Sequence, residues 1–184
     1  MDRTAYIGVG SNIDAYRNCI EGIGRITEDD RVELLVLSSL YRTSPVSPVA
    51  QADFLNCVCK IRWTRDAFDL LTFLESVEQQ MGRRRDVCLG PRTLDLDILL
   101  FGNEIIGTDR LAIPHPRLHE RKFVLVPCLE IDEGLVHPVL NQPFSLLLSQ
   151  IHDDQRIAVF EKITKDIILE KRRGPSSLAT PGSA

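Results

Sequence analysis

The sequence lacks the features that most directly mark several common classes of protein. It has no C-x-x-C pair and an odd number of cysteines, five, so neither a disulfide framework nor a zinc site is indicated. No G-x-x-x-x-G-K-[ST] motif occurs, which excludes a P-loop nucleotide site. No apolar run approaches membrane-spanning length, and the N-terminus lacks signal-peptide character. We therefore expect a cytoplasmic protein with reduced cysteines.

Lysine is also scarce, because only 5 of the 22 basic residues are Lys and the other 17 are Arg. Arginine favours planar, bidentate contacts with phosphate, so arginine clusters suggest anion binding. The net charge of −4 argues against nonspecific nucleic-acid binding through bulk charge. A length of 184 residues with 43% hydrophobic content is typical of one soluble domain with an ample core.

Hydrophobic periodicity predicts a mixture of strands and helices. Strands are predicted at residues 4–10, 32–42, 54–63 and 94–101, and helices at 15–27, 66–81, 123–131 and 145–151. From residue 161 the composition changes. We expect a domain at residues 1–160, a charged C-terminal extension at 161–173, and a flexible tail at 174–184.

The most distinctive stretch is GPRTLDLDILLF at residues 90–101. Its apolar run is interrupted only by Asp95 and Asp97, which lie about 7 Å apart on one face of a strand. Alternation puts Leu94, Leu96, Ile98 and Leu100 together on the opposite face. The two carboxylates could simply lie on the solvent-exposed face of a half-exposed strand, but strands disfavour Asp. Paired carboxylates repel unless a cation lies between them, and oxygen ligands suit Mg²⁺.

Two arginine clusters accompany this strand. Arg83, Arg84 and Arg85 precede it, and Arg110, Arg117 and Arg121 follow it with two histidines. A cluster at a helix end is equally compatible with a solvated, dipole-stabilising role. The position beside two carboxylates favours a polyphosphate site. Phosphoryl or pyrophosphoryl transfer needs such cations for charge and positioning, and two Mg²⁺ ions about 4 Å apart would suit an in-line displacement.

Several motifs, in order, resemble the 6-hydroxymethyl-7,8-dihydropterin pyrophosphokinases of folate biosynthesis. They are YIGVGSN at 6–12, SSLYRTSP at 38–45, DFLN at 53–56, GPRTLDLDIL at 90–99 and IPHPRL at 113–118. The resemblance implies an α+β fold, a ferredoxin-like sandwich whose mainly antiparallel sheet is flanked by helices. It also implies transfer of the β,γ-pyrophosphate of ATP to the pterin hydroxymethyl oxygen, giving the pterin diphosphate and AMP.

The resemblance further assigns roles to individual residues. Asp95 and Asp97 match the ligands of two Mg²⁺ ions, and with Arg83 and Arg92 they form the implied catalytic set. The implied ATP contacts are Glu78, Arg83, Arg85, Arg92, Arg110, His115 and Arg121. The implied pterin contacts are Phe54 and Phe123, which sandwich the ring, Asn56, which reads its edge, and the backbone at Thr43 and Val46.

The expected partners are the two small molecules, ATP and the pterin. We expect no nucleic-acid or membrane partner, and a monomer that is open to coupling with the next folate-pathway enzyme. The polar loops at residues 43–53 and 83–89 are predicted to cover the site. Each is flanked by structure-breaking residues and adjoins a predicted ligand site.

Two other functions remain open at this point. One is a noncatalytic nucleotide-binding module, against which the intact Asp95, Asp97, Arg83 and Arg92 argue. The other is a metal-dependent phosphohydrolase that uses the same aspartates. The set of Phe54, Asn56 and Phe123 argues instead for a flat heterocyclic substrate.

Overall fold

The structure is a computed structural model of the chain, and it describes residues 3–46, 50–83 and 90–173. Within these ranges the strands are β1 (Arg3–Ser11), β2 (Val32–Leu37), β3 (Leu40–Thr43), β4 (Phe54–Trp63), β5 (Asp95–Phe101), β6 (Ile106–Gly107), β7 (Ala112–Ile113) and β8 (Ile157–Glu161). The helices are α1 (Ala15–Thr27), α2 (Ala67–Gln80), α3 (Lys122–Ile131), α4 (Phe144–Ser149) and α5 (Lys165–Arg173). A 3₁₀ turn (Leu118–Glu120) precedes α3.

The main sheet is antiparallel and has the strand order β5-β1-β4-β3-β8, with β2 also paired to β4. Here α1 connects β1 to β2 across β4, and α2 connects β4 to β5 across β1. Two interleaved β-α-β crossovers of this kind define the ferredoxin-like arrangement. The fold class expected from the motifs is therefore confirmed.

Helices cover both faces of the sheet, and each face has its own apolar cluster. The first cluster joins α1, α2 and α5 to the sheet through residues such as Ile7, Ile23 and Trp63. The second joins α3 and α4 to the opposite face and includes Leu125 and Phe144. Full burial of each such side chain stabilises the fold by about 1.5–3 kcal/mol.

The single strand predicted at residues 32–42 is interrupted at Ser38 and Ser39. Ser38 pairs with Val58 through its backbone N–H at 3.0 Å. Its hydroxyl also accepts the Val58 N–H at 2.9 Å. The carboxylate of Glu130 on α3 accepts the Ser39 N–H at 2.9 Å and its hydroxyl at 2.7 Å. Because these side-chain bonds replace ladder bonds, β2 and β3 pair with opposite halves of β4.

A bulge at Leu99 alters the alternation predicted for β5. Ile98 lies opposite Ile7, but Leu100 lies opposite Tyr6, so Leu99 is an extra residue in the ladder. Leu99 and Leu100 consequently both join the second cluster, while Phe101 joins the first. The prediction that Leu100 shares a face with Ile98 is wrong, because one extra residue inverts the alternation that follows it.

The predicted domain boundary at residue 160 does not coincide with an edge of the core. Glu161 ends β8, which pairs with β3. Ile163 and Ile168 are only 5% and 1% exposed and belong to the first cluster. The charged segment thus contributes apolar side chains to the main core. The predicted tail, residues 174–184, lies outside the described residues.

A hydrogen-bonded triad ties the C-terminal end of α3 to the sheet. Asp132 Oδ2 accepts the Tyr6 hydroxyl at 2.6 Å and the Lys60 ammonium at 2.7 Å. The hydrogen bonds from Lys60 and Tyr6 lower the pKa of Asp132. Burial is the main cause that raises the pKa of Tyr6 to about 12.

We expect the Asp132→Asn variant to lose about 1–2 kcal/mol of unfolding free energy at neutral pH, because two hydrogen bonds to a charged group are weakened. The folded pKa of Asp132 lies below the reference value of 3.8, so its carboxylate stabilises the fold above that pH. This contribution is lost as the pH falls through the folded pKa. Urea unfolding across this range should therefore show a difference that shrinks on acidification. The control is Asp109→Asn, at an exposed carboxylate. A pH-independent difference would contradict the assignment.

Candidate active site

The floor of the candidate site is formed around two glycines of β1 that lie opposite functional side chains of the neighbouring strands. Gly10 lies opposite Asp95 on β5 and opposite Asn56 on β4, and Gly8 lies opposite Asp97. Adjacent strands are about 4.8 Å apart, so Asp95 and Asn56 are about 10 Å apart across Gly10. Because glycine has no side chain, the carboxylate pair and the amide share one open space.

This floor belongs to a cavity of about 980 Å³, counted out to its open mouth. Nine of the predicted site residues, from four separate segments, line it: Thr43, Val46, Phe54, Asn56, Arg92, Asp95, Asp97, Arg121 and Phe123. The tertiary structure therefore assembles most of the site expected from the motifs.

Asp95 is held between two arginines. Its Oδ1 lies 2.5 Å from Arg83 Nη2, and its Oδ2 pairs with Arg92. Arg83 also pairs with Glu78, which accepts the Leu96 N–H at 2.7 Å. The motif resemblance implies a nucleotide contact for Glu78, but its carboxylate faces Arg83 and the β5 backbone. Burial raises the pKa of Glu78 to about 7.

Asp97 lies beside Asp95 on the cavity face of β5. Burial, together with the charge of Asp95, raises the pKa of Asp97 to about 6, although 39% of its side-chain surface stays exposed. The charges of Arg121, Arg83 and Arg92 lower this pKa but do not offset burial and the charge of Asp95, so additional positive charge would stabilise the ionised carboxylate. A bound cation would supply that charge.

His115 approaches the same carboxylate from the segment after β7. Its Nε2 lies 4.0 Å from Asp97 Oδ2, and its Nδ1 accepts the Arg117 N–H at 3.2 Å. The proton of the neutral ring is therefore on Nε2, which faces Asp97. Burial and the charge of Arg121 lower the pKa of His115 to about 4. At neutral pH this histidine is an uncharged hydrogen-bond donor.

The two predicted ring-binding phenylalanines each lie beside an arginine of the anion site. Arg92 Cζ lies 5.9 Å from the centre of the Phe54 ring, and Arg121 Cζ lies 5.4 Å from that of Phe123. Burial lowers the pKa of Arg121. The apolar and cationic parts of the cavity are thus continuous.

Asn56 has a fixed orientation at the base of the cavity. Its Nδ2 donates to Thr43 Oγ1 at 2.7 Å. A Cβ placed on Gly10 would lie only 2.8 Å from Asn56 Oδ1, so glycine is required there to keep this rotamer. The carboxamide is therefore preorganised by both neighbouring strands.

Some predicted residues are placed elsewhere. Arg110 is exposed on the surface of α2, where its Nη2 lies 3.0 Å from Thr72 Oγ1 and 3.3 Å from Glu75 Oε2. It does not line the cavity. Arg85 lies outside the described residues, as do parts of both predicted covering loops. Their closure stays a prediction.

Several residues of the site were not identified from the sequence. Asn12 Oδ1 accepts the Arg92 N–H at 2.8 Å, and Asn12 Nδ2 donates to Gln51 at 3.0 Å. Its place in the YIGVGSN motif was the available signal. Asp153 and Gln155 also line the cavity, but no motif marks them.

Comparison with known proteins identifies the family. The model for 7,8-dihydro-6-hydroxymethylpterin-pyrophosphokinase (HPPK) matches residues 6–133. The chain belongs to this family. It is 43% identical over 132 residues to the 2-amino-4-hydroxy-6-hydroxymethyldihydropteridine pyrophosphokinase of Bacillus subtilis, covering 71% of this chain and 79% of that one. The Haemophilus influenzae enzyme of the same name is 41% identical over 155 residues, covering 84% of this chain and 96% of that one. The family predicted from the motifs is confirmed.

Solved HPPK structures share the fold. The chain matches wild-type Plasmodium falciparum HPPK-DHPS with pteroate at a TM-score of 0.64 and 14% identity, over 82% of this chain. It spans only 42% of that longer chain. At this identity the likeness establishes a common fold. Among the described residues of our HPPK chain, the helices are too short or too polar to cross a bilayer.

Proposed function

We propose that this HPPK chain transfers pyrophosphate from ATP to the hydroxymethyl group of 6-hydroxymethyl-7,8-dihydropterin in folate biosynthesis. The products are the pterin diphosphate and AMP. Family membership supports the reaction. The observation in the chain that carries it is the Asp95–Gly10–Asn56 row, which joins a carboxylate site to an amide-based ring site within one cavity.

The pterin end of the cavity suits a flat, polar heterocycle. Phe54 and Phe123 offer ring faces for stacking, and such contacts stabilise by about 0.5–1.5 kcal/mol beyond buried area. The Asn56 carboxamide, fixed by Thr43, can exchange hydrogen bonds with both donors and acceptors on the ring edge. The half-exposed Val46 borders the same space.

Asp95 and Asp97 are suited to two Mg²⁺ ions that arrive with ATP. Among the described residues, no group of three or more His, Cys, Asp or Glu side chains could hold a metal without further ligands. Mg²⁺ commonly binds through one or two carboxylates, with phosphate oxygens and water completing its shell. The raised pKa of Asp97 is consistent with a carboxylate pair whose ionised form a bound cation would stabilise. The bound ions would neutralise phosphate charge and align the attacking oxygen.

The cationic side chains around Asp95 would then bind the phosphates. Arg83 and Arg92 both pair with Asp95, and they can transfer these contacts to phosphate oxygens when the carboxylate becomes a metal ligand. Glu78 keeps Arg83 at the site during this exchange. His115 donates from Nε2 without adding charge, and Arg121 lies between the phosphate and ring sites. Arg85 and Arg110 are the remaining proposed nucleotide contacts, and Arg110 would have to leave Thr72 and Glu75 on α2 to reach ATP.

The direct test is incubation with ATP, Mg²⁺ and the pterin alcohol, followed by separation of the nucleotides. We expect AMP in an amount equal to the pterin diphosphate, because attack occurs at the β-phosphorus. Formation of ADP would contradict pyrophosphate transfer. Equal ATP cleavage without pterin would favour a phosphohydrolase, and no cleavage would favour a binding module.

We propose a cytoplasmic monomer that uses only these small-molecule substrates. The HPPK-DHPS chains among the similar structures support coupling to a second enzyme of the pathway. Size-exclusion chromatography with light scattering tests the monomer, and a stable dimer would contradict it.

A further inference from the structure

A segment beyond residue 133, where the match to the family model ends, contributes one wall of the cavity. Asp153 and Gln155 line the cavity beside the loop that begins at Thr43. Lys122, at the start of α3, anchors this wall. Its Nζ lies 2.7 Å from both the backbone oxygen and Oδ1 of Asp153.

Three hydrogen bonds join this wall to Ser44. The Ser44 N–H donates to the Arg156 carbonyl at 3.1 Å, and the Arg156 N–H donates to Ser44 Oγ at 3.0 Å. The third runs from Gln155 Nε2 to the Ser44 carbonyl at 3.1 Å. Two of the three use the backbone of residue 156, which any residue except proline provides. Only the third depends on the side chain at position 155.

Within the described ranges, Gln155 Nε2 is the only hydrogen-bond donor that contacts the Ser44 carbonyl. The Ser44 carbonyl belongs to the peptide bond before Pro45, and proline has no N–H to donate. The Gln155 amide is therefore the group that holds this peptide plane between Thr43 and Val46. Both of these residues line the ring end of the cavity.

The Gln155 side chain stays at this position at an energetic cost. Its Oε1 is buried and has no hydrogen-bond partner within the described ranges. A buried acceptor without a hydrogen-bond partner destabilises the folded state. Stability therefore does not explain why the side chain is placed here. The hydrogen bond from Nε2 of the same amide to the Ser44 carbonyl does.

We infer that Gln155 is a positioning residue for the pterin, acting through the hydrogen bond from its Nε2 to the Ser44 carbonyl. This bond orients the wall of the ring site from Thr43 to Val46. The inference rests on the proposed function, because it takes the pterin to occupy this end of the cavity. It adds a positioning residue that follows residue 133, where the match to the family model ends.

The test uses Gln155→Glu in the full chain, because this change keeps the size and an acceptor oxygen but removes the N–H donor. We expect the pterin KM to rise about tenfold, with the ATP KM and kcat within about twofold of wild type. Gln155→Ala should show the same rise in the pterin KM, with the same small effect on the ATP KM and kcat. The matched control is Arg156→Ala, since that side chain is 82% exposed and the backbone bonds to Ser44 remain. It should leave all three constants unchanged.

A second measurement separates this inference from the proposed function. Amide hydrogen exchange at Ser44 and Val46 should be faster in Gln155→Glu than in wild type or Arg156→Ala, whether or not the enzyme is active. Unchanged exchange would overturn the inference. In an active enzyme, a wild-type pterin KM in Gln155→Glu with a raised KM in Gln155→Ala would also overturn it, since Oε1 would then bind the substrate directly. Absence of AMP formation by wild type would refute only the proposed function.

Discussion

An Asp97→Asn variant is expected to lose pyrophosphate transfer almost completely while it keeps its fold. Loss of one carboxylate ligand removes several kcal/mol of stabilisation of charge in the transition state. Each 1.36 kcal/mol corresponds to about a tenfold change in rate, so kcat/KM should fall by about three orders of magnitude. AMP production with saturating ATP, Mg²⁺ and pterin measures the loss. Near-native turnover in Mg²⁺ would refute the two-metal assignment.

Stability measurements on the same variant distinguish a lost ligand from a damaged fold. The pKa of Asp97 is raised, so its ionised form is disfavoured in the folded state above the reference pKa of 3.8. Removing this charge also removes repulsion with Asp95. The unfolding free energy of Asp97→Asn at neutral pH should therefore equal or exceed that of wild type. Asp109→Asn, a change of the same type at an exposed site, should alter neither activity nor stability.

The Phe123→Ala variant is expected to bind the pterin about a hundredfold more weakly and ATP with nearly unchanged affinity. The change removes the stacking contact, about 1 kcal/mol, and the apolar area that the ring buries against the ligand. Phe123 is only partly buried in the free protein, so the fold should tolerate the loss. Titration calorimetry with each ligand separately measures the two affinities.

Two controls define what Phe123 contributes. Phe123→Leu keeps an apolar side chain without a ring face, so its loss of pterin affinity should be intermediate. Phe68→Ala removes a ring that is 37% exposed on α2, outside the cavity, and should change neither affinity. Equal losses of ATP and pterin affinity in Phe123→Ala would contradict a ring site separate from the nucleotide site.

Much of the site was predictable because its signals are local. Asp95 and Asp97 share a face since both precede the bulge, where strict alternation still holds. The helix at α2 followed from its apolar periodicity and from Asp66, whose carboxylate accepts the N–H groups of Phe68 and Asp69 at 2.9 Å. The motif resemblance then assigned the ring and phosphate residues, and seven of these line one cavity together with Asp95 and Asp97.

Other features depend on partners that are distant in sequence. The bulge at Leu99 arises from pairing with β1, and the pattern of β5 alone does not contain it. Ile163 and Ile168 lie in a charged stretch, and only packing against the core identifies their burial. Glu78 likewise carries a carboxylate that could bind a ligand. In the structure this carboxylate pairs with Arg83 and accepts the Leu96 N–H.

By itself, the sequence determined the family, the α+β class and the carboxylate pair. Motifs and the two-residue repeat of a strand depend only on residues that are close together in the sequence. Only the tertiary structure decided that Asp95, Gly10 and Asn56 form one row and that Gln155 joins the cavity wall. Strand register and side-chain hydrogen bonds between distant segments decide those relations, and a local pattern carries no information about either. The chemistry of the residues was readable from the chain, but their distances were not.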